Sequence, residues 1–465
     1  MNLFAPGCSR YGSSWPRSTS GSRREVWEEP ATTRQLPRND RLTRKPARAH
    51  PGCQGVENTV ELLRNAVRPY AWGSRTTIPE LLGRAVPAPH PEAELWMGAH
   101  PGDPSRIITA AGEERSLLEL IESDPVGQLG PECSRRWDNR LPFLLKILAV
   151  EEPLSMQAHP SAEQSAEGYA REEAAGIPRD APNRNYPDPT AKPELVCALT
   201  EFHALAGFRT PDRTIKLLRA VETPGLAKYT ELLAAQPDAD GMRALFTTWI
   251  TLPQATLDEL LPEVLDACVL HVKDHGEFDA ECRTVLELGE THPRDAGVLA
   301  ALLLNRLTLS AGEAIYLPAG NLHLYLHGTA VEILANSDNI LRCGLTPKHV
   351  DVPELLRVVD FTCCDMPVLA GEPSECGAVY HTGAPEFELS RCDWAVGDRG
   401  EVKVPSARPQ ILLCTAGRVS VRSEDGRELE LRRGESMWLA AADPAVQVRP
   451  AGDGRTQLFR ATSGH

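Results

Sequence analysis

Between Leu62 and about Phe208, apolar residues come in short runs broken by Pro and Gly, as in Leu141-Pro142-Phe143-Leu144-Leu145-Lys146-Ile147-Leu148-Ala149-Val150. That punctuation predicts mostly strand with some helix. From Pro211 to about Leu304 the period changes. Ile215, Leu217, Leu218 and Val221 recur at helical spacing, and so do Val264, Leu265, Cys268 and Val272 behind Pro262, a residue suited to a helix's first turn. Strand pattern returns from Asn305 to about Val331. There Ala314-Ile315-Tyr316-Leu317, the turn residues Pro318-Ala319-Gly320-Asn321 and the stretch Leu322 to Leu326 predict a hairpin. A last group, from about Gly377 to His465, holds Gln410 to Cys414 and Arg418 to Val421, bounded by Glu424-Asp425-Gly426, and reads as a second small β-barrel.

The expected order is therefore a first β part at 56–208, a helical insert at 209–304, the rest of the first barrel at 305–368 and a second barrel at 369–465. An internal repeat ties the barrels together, since Gly312-Glu313-Ala314-Ile315-Tyr316-Leu317 resembles Gly434-Glu435-Ser436-Met437-Trp438-Leu439. Eleven residues after its glycine the first copy has His323 and the second Ala445, so only the first barrel is equipped for a metal.

Composition bounds what such a chain does. At 465 residues it is long enough for two to four domains, each with its own core and no need of disulfide staples. Residues 1–55 carry ten Lys/Arg against four Asp/Glu, lack any helical or strand period, and are expected to be a disordered basic extension. The remainder then carries −21 of the formal net charge of −15. So acidic a body repels nucleic acid and anionic membranes, and an anionic ligand would need a local basic pocket. The twelve cysteines form no CxxC pair, only the neighbours Cys363 and Cys364, which suits reduced thiols in a cytosol. No apolar run approaches the ~20 residues that span a bilayer, and Arg23 and Arg24 are not followed by a secretory apolar segment.

Candidate chemistry sits on alternating positions. Ser155, Gln157 and His159 share one face of a strand, as do Lys192 and Glu194, with Pro193 at an edge or strand start. His323, Tyr325 and His327 oppose the apolar Leu322, Leu324 and Leu326. The imidazoles of His159 and His323, the Glu194 carboxylate and the Gln157 amide oxygen form a donor set that zinc accepts, with room for water or substrate. Taken singly, a strand histidine is more often packed or solvated than ligating, and no compact signature such as HExxH occurs. The stretch from Glu332 to Lys348 mixes charge, amide and turn residues; its bland reading is a surface salt bridge from Asp338 to Arg342 or Lys348.

Six collinear segments resemble the class I mannose-6-phosphate isomerases: Tyr70-Ala71-Trp72-Gly73, Glu94 to His100, Leu144 to Pro160, Lys192-Pro193-Glu194, Pro318 to Leu326, and Glu332 to Lys348. The resemblance implies a mainly β fold of two cupin or jelly-roll-type barrels plus a helical domain. It implies one Zn2+ per chain, held by Gln157, His159, Glu194 and His323. It implies a pocket in which Trp72, Ser155 and Lys348 bind substrate and Arg342, Lys192, Asp338 and Glu332 take catalytic parts. The reaction would interconvert mannose 6-phosphate and fructose 6-phosphate through a cis-enediol. The base is Lys192, Glu332, Asp338 or a metal-bound water, with Lys192 preferred. Arg342 suits the phosphate or the developing enediolate, and Lys348 the phosphate. A monomeric cytoplasmic enzyme whose partner is a small sugar phosphate, with no nucleic acid and no membrane, is the expectation. Against it stand a non-catalytic sugar-binding cupin, which would not need the full set Lys192, Asp338, Arg342 and Lys348, and an iron oxygenase, whose facial triad Gln157 would crowd. A guanylyltransferase fusion would need a Gly-rich nucleotide loop, and none is visible.

Overall fold

The computed structural model describes residues 61–108, 113–375 and 377–464. The predicted basic extension at 1–55 lies outside them. The run Phe143–Val150 forms a strand whose eight residues are all buried, Lys146 included. It is flanked antiparallel by Glu94–Met97 and by the long strand His323–Ala335. That long strand organises the site. Its second half pairs Gly328 to Ala335 with Val150 to Phe143 on one side, and Ala330 to Leu334 with Ala198 to Glu194 on the other. Its first half leaves these partners for Phe202–Phe208 and Met156–Ala158, so that His323 stands opposite Gln157. Gly328 allows the change of partner. It has φ +119°, and a Cβ there would lie 2.5 Å from the Glu201 carbonyl.

The predicted hairpin across Pro318-Ala319-Gly320-Asn321 does not form. Ala314–Leu317 pairs with Glu194–Ala198, which lies between it and the second half of the long strand. The turn is an arch from one row of strands to another, since the start of the long strand already pairs elsewhere. Pro193 immediately precedes Glu194–Ala198 and offers its carbonyl to the Ala335 N–H, the strand-start role that a residue without an N–H permits.

The helical insert comprises Pro211–Ala220, Pro224–Ala235, Ala239–Ile250, Gln254–Lys273, Asp279–Thr291 and Gly297–Ala301. Ile215, Leu217, Leu218 and Val221 are buried as their spacing predicts, around Phe246 and Trp249. Pro262 does not open a helix. It sits inside Gln254–Lys273, which begins after Pro253. Pro262 and Asp258, whose carbonyl loses its helical donor, both lie on the solvent-exposed face of the helix. Leu257, Leu261, Val264 and Cys268 hold the other face in the core. Arg209 joins the insert to the sheet. Only 1 % exposed, it donates from Nη1 to the Leu302 carbonyl (2.9 Å) and from Nη2 to that of Leu304 (2.7 Å).

The strands outside this first, ten-stranded sheet form a nine-stranded and a four-stranded sheet that share a core of Trp394, Leu412, Val419, Val421, Met437 and Val448. The nine-stranded sheet also takes in Glu61–Arg64, Arg106–Ile108 and Glu114–Ser116, so strands from both ends of the described chain pair in it. Arg418–Ser423, bounded as expected by the turn residues Glu424-Asp425-Gly426, pairs across them with Glu428–Arg432. The internal repeat extends to its hydrogen bonds. Gly312 and Gly434 have φ +92° and +86°, and in each copy the next glutamate accepts through Oε2 the N–H of the residue three earlier, Ser310 (2.7 Å) or Arg432 (2.8 Å). The architecture is mainly β with a helical insert, and among the described residues no helix is long and apolar enough to cross a membrane.

Arg209→Ala should leave the Leu302 and Leu304 carbonyls buried without a donor, costing about 3–5 kcal/mol. A lower urea midpoint for loss of the helical signal is the expected result, and an unchanged midpoint would show that the contact does not hold the insert.

Candidate metal centre and active-site cavity

Three chain segments place the four donor side chains. His159 follows the short strand Met156–Ala158, Glu194 opens Glu194–Ala198, His323 opens the long strand, and Gln157 faces His323 across a strand pair. All four residues are buried. The ligating atoms of His159, Glu194 and His323 lie within 4.8 Å of one another.

The hydrogen bonds fix what each atom offers. His159 Nδ1 donates to the Asn339 carbonyl (2.8 Å) and His323 Nδ1 to that of Asn321 (3.0 Å); a carbonyl only accepts, so each neutral ring carries its proton on Nδ1 and aims the Nε2 lone pair inward. Nε2 of His159 stands 3.2 Å from Glu194 Oε1, and Nε2 of His323 stands 3.5 Å from Oε2. Lone pairs facing carboxylate oxygens repel unless a cation lies between them. Both Nε2 atoms and Gln157 Oε1 are buried without a hydrogen-bond partner. Ligands at about 2.0–2.2 Å from a tetrahedral zinc would stand about 3.3–3.5 Å apart, close to the spacings present. The donor set therefore fits a divalent cation such as zinc, with the two backbone carbonyls orienting the rings.

Burial, reinforced by the Lys192 charge, lowers the His159 imidazole to about 4. Burial alone would raise Glu194, yet the neighbouring Lys192 charge helps hold its carboxyl well below the usual range. Lys192 Nζ lies 3.3 Å from Glu194 Oε1.

Beside these donors opens a cavity of about 500 Å³. Trp72, Ser155, Lys192, Glu332, Asp338, Arg342 and Lys348, all predicted from sequence, line it together with Gln157 and Glu194. The Arg342 guanidinium makes no ion pair or hydrogen bond among the described residues, and burial lowers its pKa. Asp338 does not turn to Arg342: its Oδ1 lies 3.3 Å from His100 Nε2. Burial would raise the Asp338 carboxyl, but His100 and the nearby lysines hold it below the usual range.

His327 leaves the predicted face. A bulge between Tyr325 and His327 pairs Tyr325 with Ala204 and His327 with His203, which reverses the alternation and exposes His327. His203 bonds Thr308 and Glu201 instead.

Several site residues escaped the sequence reading. Lys146 Nζ lies 3.0 Å from Glu332 and 3.8 Å from Glu94. Burial would lower this lysine, but Glu332, Glu94 and Glu194 hold it far above its ordinary value. Burial, with Glu194 and Glu94 behind it, pushes the Glu332 carboxyl up against the pull of Lys146. Trp96 donates to Glu94 (2.5 Å), and the Tyr325 hydroxyl lies within hydrogen-bonding distance of both Glu332 (3.1 Å) and Glu194 (3.3 Å). The available signal was a single lysine inside an otherwise apolar strand. Asp188 escaped notice too, though it accepts from Ser337 Oγ and the Asp338 N–H and so fixes the loop whose Asn339 carbonyl orients His159.

A buried imidazole–carboxylate–amide donor set on β-strands, opening into a cavity lined by the four cationic side chains Lys146, Lys192, Arg342 and Lys348, defines a mononuclear metal enzyme for a small anionic substrate. The chain belongs to the type I mannose-6-phosphate isomerase family. The model for the catalytic domain of type I phosphomannose isomerase matches residues 60–211. Mannose-6-phosphate isomerase of Escherichia coli is 39% identical over 84% of this chain and 98% of its own length; that of Homo sapiens is 30% identical over 85% and 96%. A zinc-bound crystal structure of mannose 6-phosphate isomerase superposes with TM-score 0.77 at 36% identity, covering 87% of this chain and all of that one. A mutant of phosphomannose isomerase from Salmonella typhimurium gives TM-score 0.78 at 36% identity with the same coverage.

A neutral His159 buried at about 4, against about 6.5 in the unfolded chain, means that the unfolded state binds more protons between those values. The metal-free protein should hold this stability above pH 6.5 and lose about 3 kcal/mol as pH falls through 4. Chelated protein is expected to show a melting temperature that drops over this window. The drop should be smaller in His159→Gln, and equal drops would exclude His159 as the titrating group.

Proposed function

We infer that the protein is an aldose–ketose isomerase that interconverts mannose 6-phosphate and fructose 6-phosphate, with zinc held by Gln157, His159, Glu194 and His323. The observation that carries this is the three orphaned, inward-facing donor atoms beside a cavity walled by Lys192, Arg342 and Lys348. When bound, zinc supplies Lewis acidity toward the substrate's C1 and C2 oxygens.

The chain's own groups do the rest. Lys348 holds the phosphate as a compact charge, and the uncommitted Arg342 fork answers the negative charge that develops on the enediolate. Trp72 and Ser155 form the wall along which the sugar lies. Glu332, tied to Lys146 and Tyr325, fixes the polar floor. Lys192, acting from its unprotonated amine form, takes the C2 proton and delivers it to C1. A second reading gives the proton transfer to Asp338, because its lowered pKa keeps it ionised and ready as a base at neutral pH. The non-catalytic sugar-binding alternative is not favoured, since it would not need the full set of Lys192, Asp338, Arg342 and Lys348 around the donors.

We also place the protein in the cytoplasm as a monomer. Cys133, Cys197, Cys268, Cys282, Cys343 and Cys414 are buried thiols outside any disulfide, and the exposed large apolar residues among those described are scattered, apart from the adjacent Val269 and Leu270. Light scattering at the mass of a dimer would refute the monomer, and a signal-dependent export of the native chain would refute the compartment.

Turnover in a coupled assay should vanish with chelator and return with zinc, and Glu194→Gln should lose both zinc and activity. No turnover by folded, zinc-loaded protein would move the reading to a binding protein. Lys192→Met should retain zinc while kcat falls about 10²–10⁴-fold and C2 proton exchange with solvent stops. Continued exchange in that variant would pass the role to Asp338.

A further inference from the structure

Asp295, in the helical insert just ahead of Gly297–Ala301, touches the cavity wall without entering the cavity. Its Oδ1 accepts the Gly297 N–H (2.7 Å) and its Oδ2 accepts the Leu345 N–H (2.8 Å), so one carboxylate bridges the insert and the segment after strand Leu341–Gly344. Leu345 needs such a partner, because it stands at φ +57°, a conformation that costs any residue with a Cβ. Gly344 and Gly297 make room for the approach: a Cβ on Gly344 would lie 2.5 Å from Asp295 Oδ1, and one on Gly297 would lie 3.1 Å from Leu345 Cγ. Directly after this kink, Leu345, Thr346, Pro347 and Lys348 line the cavity, and Thr346 Oγ1 accepts the Lys348 N–H (3.1 Å). Arg342 lies three residues before it, on the same strand.

We propose that Asp295 is a positioning residue that sets affinity for the substrate's phosphate by holding the Leu345–Lys348 segment in place, which gives the helical insert a part in substrate binding. The proposal rests on the reading that Lys348 and Arg342 receive the phosphate. Losing one anchor of a bent segment displaces the cation at its end, and displacements near 1 Å weaken a contact severely. The direction of the effect is diagnostic. Removing a negative charge near a phosphate site would by electrostatics alone tighten phosphate binding, whereas losing the clamp loosens it.

The test uses full-length zinc-loaded enzyme with inorganic phosphate as competitive inhibitor, comparing Asp295→Ala, Asp295→Asn and Lys348→Ala. Asp295→Ala should raise the phosphate Ki and the KM for mannose 6-phosphate about tenfold while kcat changes less than about threefold and zinc content stays full. Asp295→Asn, which keeps one acceptor oxygen, should lie between it and the parent. It carries the test if the alanine variant does not fold. A phosphate Ki that falls or stays constant in Asp295→Asn, while Lys348→Ala raises it, would overturn the clamp. An unchanged Ki in Lys348→Ala would instead refute the reading of the phosphate wall, and the proposal with it.

Discussion

Two imidazole lone pairs, an amide oxygen and a carboxylate are buried against one another with no proton between them to relieve the repulsion. Burying such a set is costly unless a cation completes it. The rest of the active region is arranged to keep it in place. The Asn339 and Asn321 carbonyls fix both tautomers, and the Gly320 N–H donates to the His159 carbonyl (2.8 Å), linking the arch before the long strand to the other histidine. Each histidine is held through its partner's neighbourhood as well as its own.

The strand His323–Ala335 carries that constraint into the fold. By pairing with Met156–Ala158 and Phe202–Phe208 at one end and with Phe143–Val150 and Glu194–Ala198 at the other, it brings three ligand-bearing segments to one point and sets Glu332 further along the same wall. The wall is polar but not loosely so. Lys146, Glu94, Glu332, Tyr325 and Trp96 satisfy one another in the protein interior, where an unpaired charge would be far more costly than on the surface. The acidic body thus lines its cavity with Lys192, Arg342 and Lys348, while Lys146 is held between Glu332 and Glu94.

Among the described residues the second set of sheets offers no donor cluster comparable to His159, Glu194 and His323. Its turn at Gly434-Glu435 reproduces the turn at Gly312-Glu313 down to the glutamate's backbone hydrogen bond, yet buried Ala445 stands where the first copy has His323. A shared turn-and-strand unit conveys shape; ligand chemistry depends on single side chains. The helical insert, for its part, is tied to the strands by Arg209 and by Asp295, one gripping backbone carbonyls and the other backbone N–H groups.

Period and punctuation by themselves determined where strands give way to helices, because a core-facing stripe has to repeat at 3.6 or at 2 whatever it packs against. Alternation alone put Ser155, Gln157 and His159 on one face and marked Lys192 with Glu194. The donor chemistry of these residues was legible, but their meeting was not, and it took the collinear family resemblance to join them. Three features were decided only by tertiary structure. The Pro318–Asn321 turn became an arch because Glu194–Ala198 fills the place where a hairpin partner would lie. His327 left the cavity through a bulge whose only sequence trace is two more residues of apparently regular alternation. Lys146 was hidden in an apolar strand because its partners, Glu94 and Glu332, stand on neighbouring strands rather than near it in the chain. Local pattern reports what a residue's own segment must bury, whereas pairing between distant segments is settled by which strand arrives beside which, and that depends on the packing of the whole chain.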